Sequence, residues 1–319
     1  MTYQLPEAHI RALLEAAIAA PSMHNTQPWR FEVEGHVIDV YLDGSRMLPA
    51  EDPTGRAMRI AAGAATFNLR CTAESLGYST WFGLAPYAEE PDLLARIVVE
   101  PTGTSNEELS RLARQVQYRH TDRHPSDATP LAHGLRVGLT LAAHAEGAQL
   151  NWLTGEDVEA VRDLIREADL LEIHDWHRRT ERAHWVGGTR AADGIPSAAL
   201  GPRSSTYPAV VRDMASSPTD RMRPETVFED HAEIAVLSTE HDDPADQVVA
   251  GIALERVLLT ATGEGVSASF LNQPLEFEDL RRRVQRLSGL PGFAHMIIRF
   301  SHSRPPTTTG RRPIGEFLG

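Results

Sequence analysis

The sequence has no lysine among its 319 residues: all 31 basic side chains are arginine. This excludes a Schiff-base or general-base lysine. Any anion site must be built from guanidinium groups, hydroxyls or backbone amides, and a guanidinium grips phosphate through two parallel bonds. A coding bias toward arginine would explain the absence equally well. Cysteine is nearly absent too. The single Cys71 excludes an intrachain disulfide framework and a C-x-x-C motif. No uncharged apolar run approaches the roughly 20 residues needed to span a bilayer. Residues 1–6 lack the basic and then apolar pattern of a secretory leader, so the expected location is the cytoplasm, with no membrane partner. There is no Walker A or G-x-G-x-x-G fingerprint and no G-x-S-x-G elbow. The net charge of −13 supplies no long-range basic field, which argues against nucleic acid as a partner.

What is present is an ordinary globular composition, 41% apolar and 24% charged, long enough for about two compact units. Apolar residues at helical spacing predict helices over 6–20, 56–76, 131–145, 155–178, 244–262 and 277–287. Short alternating or apolar runs predict strands at 31–33, 37–42, 79–83, 95–99, 149–153, 232–237, 266–271 and 294–300. Ser105-x-x-Glu108 suits a capping box for a further helix reaching about Gln117. Residues 184–225 are aperiodic and rich in Gly, Pro, Ser and Arg. A structureless stretch of that length inside a compact domain is usually a lid or binding loop.

The chain also echoes itself. Displaced by 188 positions, Ala62-Gly63 falls on Ala250-Gly251, Ala65 on Ala253, Thr72-Ala73 on Thr260-Ala261, Gly77 on Gly265 and Ser79 on Ser267. Both segments read as a helix, a glycine break and a strand. The expected fold class is therefore α+β, with two related halves at 1–117 and 118–319 and a lid insertion at about 184–225 in the second.

One segment concentrates unusual chemistry: Ala20-Pro21-Ser22-Met23-His24-Asn25-Thr26-Gln27-Pro28-Trp29-Arg30-Phe31. Two prolines stiffen it, Trp29 and Phe31 can anchor it, and Ser22, Asn25 and Gln27 offer small neutral hydrogen-bonding groups. These suit a flat polar ligand edge, or the capping of a helix-to-strand connection. A second run, Arg119-His120-Thr121-Asp122-Arg123, places Arg119, Thr121 and Arg123 on one face if extended. That face is a phosphate clamp or a solvated charge run. His174, His177 and His184, near Asp175, lack thiolates, and no metal is expected there.

The run Ala-Pro-Ser-x-x-Asn-x-Gln-Pro-Trp-x-Phe resembles the motif after the first helix of the nitroreductase superfamily of flavoenzymes, which are usually homodimers with FMN in the subunit interface. The resemblance implies that Ser22, Met23, Asn25 and Gln27 approach an FMN. It implies a phosphate and ribityl clamp at Arg119, Thr121 and Arg123, closed from the C-terminus by Arg311 and Arg312. Phe270, Leu271 and Asn272 would fall near the flavin's N5 edge, or form an ordinary buried strand. The first half has no Arg-x-Thr-x-Arg before its helix, and the second has no Pro-Ser-x-x-Asn after its own. The single-chain arrangement is similar to the Acg-like branch, a fused pseudo-dimer with a lid over the flavin. It implies a monomer with pseudo-two-fold symmetry and one FMN. The implied activity is transfer of hydride from NAD(P)H through FMN to a flat acceptor such as a nitroaromatic or quinone. The alternative is an FMN-sequestering or storage protein with little turnover. No individual catalytic residue follows from the sequence.

Overall fold

The computed structural model describes residues 3–84, 89–102, 104, 106–127, 129–205, 212–215, 217–287, 289, 292–302 and 307–318. In the first half, α1 (Glu7–Ile18) starts after Pro6 and buries Leu13, Leu14, Ala17 and Ile18 on one face. β1 (Trp29–Glu34) and β2 (Val37–Leu42) pair antiparallel around Gly35, whose φ of +64° suits a residue without a Cβ. α2 (Arg56–Ser75) is capped from outside: the Asp52 carboxylate accepts from the amides of Ala57 and Met58, both at 3.1 Å. β3 (Tyr78–Leu84) and β4 (Leu93–Pro101) complete an antiparallel sheet of order β1-β2-β4-β3. α3 (Glu107–Ala113) follows. Its cap is Asn106, which accepts from the Leu109 amide, while Ser105 lies outside the described residues.

The second half repeats this plan. α4 (His133–His144) leads into β5 (Gln149–Trp152). A long insertion carries α5 (Glu156–His174), α6 (Trp176–Trp185) and the two-residue strands β6 (Arg203–Ser204) and β7 (Glu225–Thr226). Then come β8 (Glu233–Thr239), α7 (Pro244–Gly263), β9 (Ser267–Phe270), α8 (Glu278–Leu287) and β10 (Phe293–Ser301). The sheet order is β5-β8-β10-β9, the same first-second-fourth-third order as in the first half. The tight Gly35 turn of the first hairpin corresponds to the whole insertion in the second, since β5 and β8 also pair antiparallel.

One predicted helix, 155–178, is two. Asp175 is extended (φ −96°, ψ 99°), and its carboxylate accepts from the amides of His177 and Arg178. That is an N-cap, and it starts a new helix that runs on to Trp185, past the expected start of the aperiodic stretch.

The halves interlock. α2 and α7 cross at the centre, and Val248, Ile252 and Leu259 of α7 pack into the first half's apolar core, while Ile60 of α2 packs into the second's. The C-terminal segment returns to the first sheet. Phe31 donates its amide to the Phe317 carbonyl at 2.7 Å, and the Phe317 ring is fully buried beside Phe31. Among the described residues no helix is long and apolar enough to cross a membrane.

Candidate functional site

A cleft with two lobes lies where the halves meet. The larger lobe holds about 1020 Å³ of empty space including its open mouth, and the smaller about 420 Å³. Pro21, Ser22, Thr121, Arg123 and Ile195 line both, so the lobes are continuous.

The smaller lobe is built on the C-terminal end of α1. That end presents carbonyls with no partner in the helix and the negative pole of its dipole. Arg119 Nη2 donates to the Ala19 carbonyl at 2.7 Å. Arg311 donates from Nε to Ile18 at 2.6 Å and from Nη2 to Ala19 and Ala20. Its Nη1 donates to Thr309 Oγ1 at 2.9 Å and to the Gly310 carbonyl at 3.0 Å. Every donor of Arg311 is thereby used by the protein, and it serves the lobe as a fixed charge. Behind Arg119, the fully buried Glu255 carboxylate lies 3.4 Å from Nε. Burial raises the Glu255 pKa, and Arg119 opposes it.

Arg123 donates to the Ala199 carbonyl at 3.1 Å, and burial lowers its pKa to about 10. Burial, with Arg119 next, pushes Arg311 down to about 9. The same field reaches His120. Burial, then Arg119 and Arg311, depress it to about 4, so it is neutral at physiological pH. Thr121 bridges to Ala268 in parallel fashion, and residues 119, 121 and 123 all line the lobe as their spacing suggested. Thr307 and Thr309 add hydroxyls, and no carboxylate is among the described lining residues. This donor set suits a phosphate.

The larger lobe is shaped by the loop between α1 and β1. His24, Asn25 and Gln27 all have positive φ (48°, 56° and 53°), a conformation that non-glycine residues hold only when their surroundings over-determine it. The determinants are visible. Ser22 Oγ accepts from the Gln27 amide at 2.9 Å. Asn25 Nδ2 donates to the carbonyls of Gly194 and Gly310. Gln27 Nε2 donates to Ala192 at 2.8 Å, and its Oε1 accepts from the Arg312 amide. The loop therefore ties the insertion and the C-terminal segment to the first half. Ser22 and Met23 face the cleft.

On the far wall stand Phe270 and Asn272. Asn272 Oδ1 accepts from the Ile297 amide at 2.9 Å.

Three predicted residues are not brought to the lobe walls. Gln27 is fully buried in the knot just described. Leu271 is core, packed among apolar residues of α5 and β10. Arg312 turns away from Arg311, donates to the Gln27 carbonyl at 3.1 Å and lies over the Phe317 ring at 4.1 Å.

The sequence also missed a buried charged cluster that forms part of the wall of the larger lobe. His24 Nε2 lies 2.5 Å from Glu51 Oε2. Arg182 Nε donates to the other oxygen of Glu51 at 2.9 Å, and Arg212 Nη2 reaches the same oxygen at 3.3 Å. Arg212 also bonds Glu172, and its Nη1 donates to Glu276 at 2.9 Å. Arg178 donates to Glu276 as well. Burial and the neighbouring Glu51 and Glu172 outweigh Arg212 and lift Glu276 to about 7. Asp169, beside Arg212 and Glu172, is lifted by burial to about 6. His24 stands inside the motif already singled out, but its partners come from four separate segments and left no local signal. His174, His177 and His184 are exposed.

No family model matches the chain. Over the whole chain it is 27% identical to Rv3131 of Mycobacterium tuberculosis (strain ATCC 25618 / H37Rv), aligned over 324 residues and 93% of that protein. It is 28% identical over 312 residues to Acg of the same strain, covering 96% of this chain and 94% of Acg. Both are named provisionally as NAD(P)H nitroreductases. The crystal structure of a provisionally named nitroreductase from Anabaena variabilis ATCC 29413 superposes with a TM-score of 0.55 at 10% identity, covering 94% of this chain and 90% of that one. That likeness shows a shared fold. Matched end to end by these relatives and carrying the same strand order in both halves, the chain has the nitroreductase fold and resembles the Acg-like single-chain branch of that superfamily.

Proposed function

We propose that this protein binds one FMN in the two-lobed cleft and passes hydride from NAD(P)H to a flat acceptor such as a quinone or nitroaromatic. The observation that carries this reading is the polarity of the cleft. One end is a carboxylate-free lobe of arginines and threonines, and the other is a larger lobe walled by Met23, Ile60, Leu254, Phe270 and Met296. A phosphate-bearing ligand with a flat ring fits that sequence of environments. Bound FMN supplies two-electron chemistry, accepting and donating hydride.

The chain's own residues have separable tasks. Arg119, Thr121 and Arg123 would hold the phosphate end, with Arg311 as a fixed charge and Glu255 keeping Arg119 in place. Ser22, Met23, Phe270 and Asn272 would flank the ring. Arg56 reaches the larger lobe from the start of α2, oriented by the carbonyls of His295 and Leu275. Its charge would favour a reduced, anionic ring. The proposed boundary between halves is 117/118, with the lid at about 184–225. One site per chain is the reading because the loop after α4 carries no Pro-Ser-x-x-Asn counterpart of the Ser22–Asn25 motif. The chain needs no second copy to complete the site.

A second reading is storage of FMN under a closed lid. Ile195, Arg212 and Met214 of the insertion line the larger lobe, and Arg212 is tied to three carboxylates. Both readings predict the visible absorbance of oxidised flavin in the purified protein. Anaerobic mixing with NADPH and NADH separates them: bleaching within seconds supports the reductase, and bleaching by dithionite alone supports storage. A protein that binds no FMN defeats both.

A further inference from the structure

His24 lines the larger lobe, and the reading above gives it no task. Its left-handed backbone sets the ring against the larger lobe, almost wholly buried, with Nε2 against Glu51. Glu51 is itself fully buried. Burial raises its pKa, but His24, Arg212 and Arg182 outweigh burial and hold it well below the usual carboxylate range. Glu51 is therefore ionised and accepts the proton of Nε2. Any proton exchanged with the cleft must then sit on Nδ1, which has no hydrogen-bond partner among the described residues.

The surroundings supply such a proton. Three guanidinium groups (Arg178, Arg182 and Arg212) face four carboxyl groups (Glu51, Glu172, Glu276 and Asp169). The cluster carries one more carboxyl group than guanidinium groups, a charge that favours a proton on a neighbouring base, and His24 contributes an imidazole that lines the lobe and engages Glu51 through Nε2 alone. The other titratable groups of the lobe are engaged: Glu276 accepts from Arg178 and Arg212. Asp52 caps α2, and Arg56 is bound to two carbonyls. His295 is kept neutral, near 3, by burial and then by Arg56 and Arg281.

We propose that His24, oriented by Glu51, is the acid that protonates the acceptor as it is reduced. The proposal rests on the reductase reading. Reduction of a quinone takes two electrons and two protons. Bound reduced FMN would supply both electrons and one of the protons as hydride. The second proton leaves Nδ1 for the acceptor's oxygen, the O–H bond forming as the N–H bond breaks. The electron pair of that bond stays on Nδ1, which water later reprotonates. A one-electron oxidant such as ferricyanide takes electrons alone and requires no donor.

The test uses His24→Gln in the flavin-loaded chain, reduced with dithionite and mixed anaerobically with benzoquinone or with ferricyanide. Removal of a general acid should slow reoxidation by the quinone about 10²- to 10⁴-fold, leave ferricyanide within about twofold of wild type, and be partly rescued by added imidazole. Equal slowing with both oxidants, or none with the quinone, overturns the assignment. Because dithionite does the reducing, failure of NADH or NADPH to bleach the wild type would sink the reductase reading without obscuring this comparison. The role of Glu51 is read in the flavin-free protein by nitrogen NMR of the imidazoles. A His24 ring protonated on Nε2, with a far-downfield proton that Glu51→Gln moves, supports it. If Glu51→Gln does not fold, the wild-type tautomer decides, and an Nδ1–H tautomer overturns the orientation argued here.

Discussion

Gly63 of α2 and Gly251 of α7 meet at the centre of the molecule, and each is the other's counterpart in the internal repeat. A Cβ on Gly63 would be driven into the Val248 carbonyl oxygen and lie 3.0 Å from Gly251 Cα. A Cβ on Gly251 would be driven into the Ile60 carbonyl oxygen and lie 2.9 Å from Gly63 Cα. Ile60 and Val248 are also separated by the 188-residue displacement. The two obstructions are therefore one contact seen from both sides, and the pseudo-two-fold axis runs between the glycines. Two backbones approach this closely only where neither residue carries a side chain.

Alanine at either glycine should be costly, because backbone atoms rather than flexible side chains stand in the way. Gly63→Ala or Gly251→Ala is expected to destabilise by roughly 1–3 kcal/mol, the range for overpacking a tight core. Gly138 is the control. It lies in α4 with open space around its Cβ position, so Gly138→Ala should be neutral or gain up to about 1 kcal/mol from helix propensity. Urea unfolding of the three variants decides. Equal midpoints for Gly63→Ala and Gly138→Ala would show that the helices can part without cost.

The phosphate lobe makes a prediction that the sequence alone would have placed differently. Arg311 and Arg312 are adjacent, but only Arg311 lines the lobe. Arg119→Ala should weaken FMN binding roughly 10- to 150-fold, the equivalent of one charge-assisted hydrogen bond of about 1.5–3 kcal/mol. Arg312→Ala should leave the affinity near wild type while lowering the unfolding midpoint, because it strips the Gln27 carbonyl and the Phe317 face of a partner. Flavin fluorescence titration and thermal melts read the two effects separately. Loss of FMN on Arg312→Ala at unchanged affinity for Arg119→Ala would reverse the assignment.

The contrast shows what was legible beforehand. Regular elements were readable because their apolar spacing is local. The Ser22–Gln27 loop and the Arg119–Arg123 run were readable because each is contiguous. Side-chain direction in an irregular tail was not. Gly310 packs its backbone against the Ala191 carbonyl so closely that no Cβ fits, and that docking turns Arg311 into the lobe and Arg312 out of it. The break at Asp175 was hidden because its neighbours on both sides keep helical spacing. The Glu51, Glu172, Arg212 and Glu276 cluster was invisible, since its members are far apart in sequence and share no period.

The same cluster should make stability depend on pH in an unusual direction. Glu276 is raised to about 7 from an unfolded value of 4.5, so the folded state holds its proton more tightly than the unfolded chain. Stability from this source is complete below about pH 4.5 and is lost as pH rises through 7. Asp169, lifted to about 6 from 3.8, acts in the same sense. Unfolding free energy measured between pH 4.5 and 7.5 should therefore fall more steeply for the wild type than for Glu276→Gln, which cannot ionise. Parallel curves would mean that Arg178 and Arg212 keep Glu276 ionised throughout.

Asn25 anchors the insertion at Gly194, and this can be tested apart from any flavin contact. Its side chain holds the carbonyls of Gly194 and Gly310, and the Gly194 amide returns to its own carbonyl at 3.3 Å. Asn25→Ala should lose two neutral hydrogen bonds, each about 0.5–1.5 kcal/mol. It also places a less tolerant residue at φ 56°, a further cost of roughly 1–2 kcal/mol. Asn25→Gly removes the backbone cost and keeps the loss of bonds, so the difference between the variants isolates the strain. Both should speed hydrogen exchange across residues 190–195, while amides of α2 stay protected. Wild-type exchange there in Asn25→Gly would mean that Gln27, through Ala192, and Arg46, through its 2.7 Å pair with Asp193, hold this segment without help. The segment around Gly194 would then be fixed by charge and by Gln27.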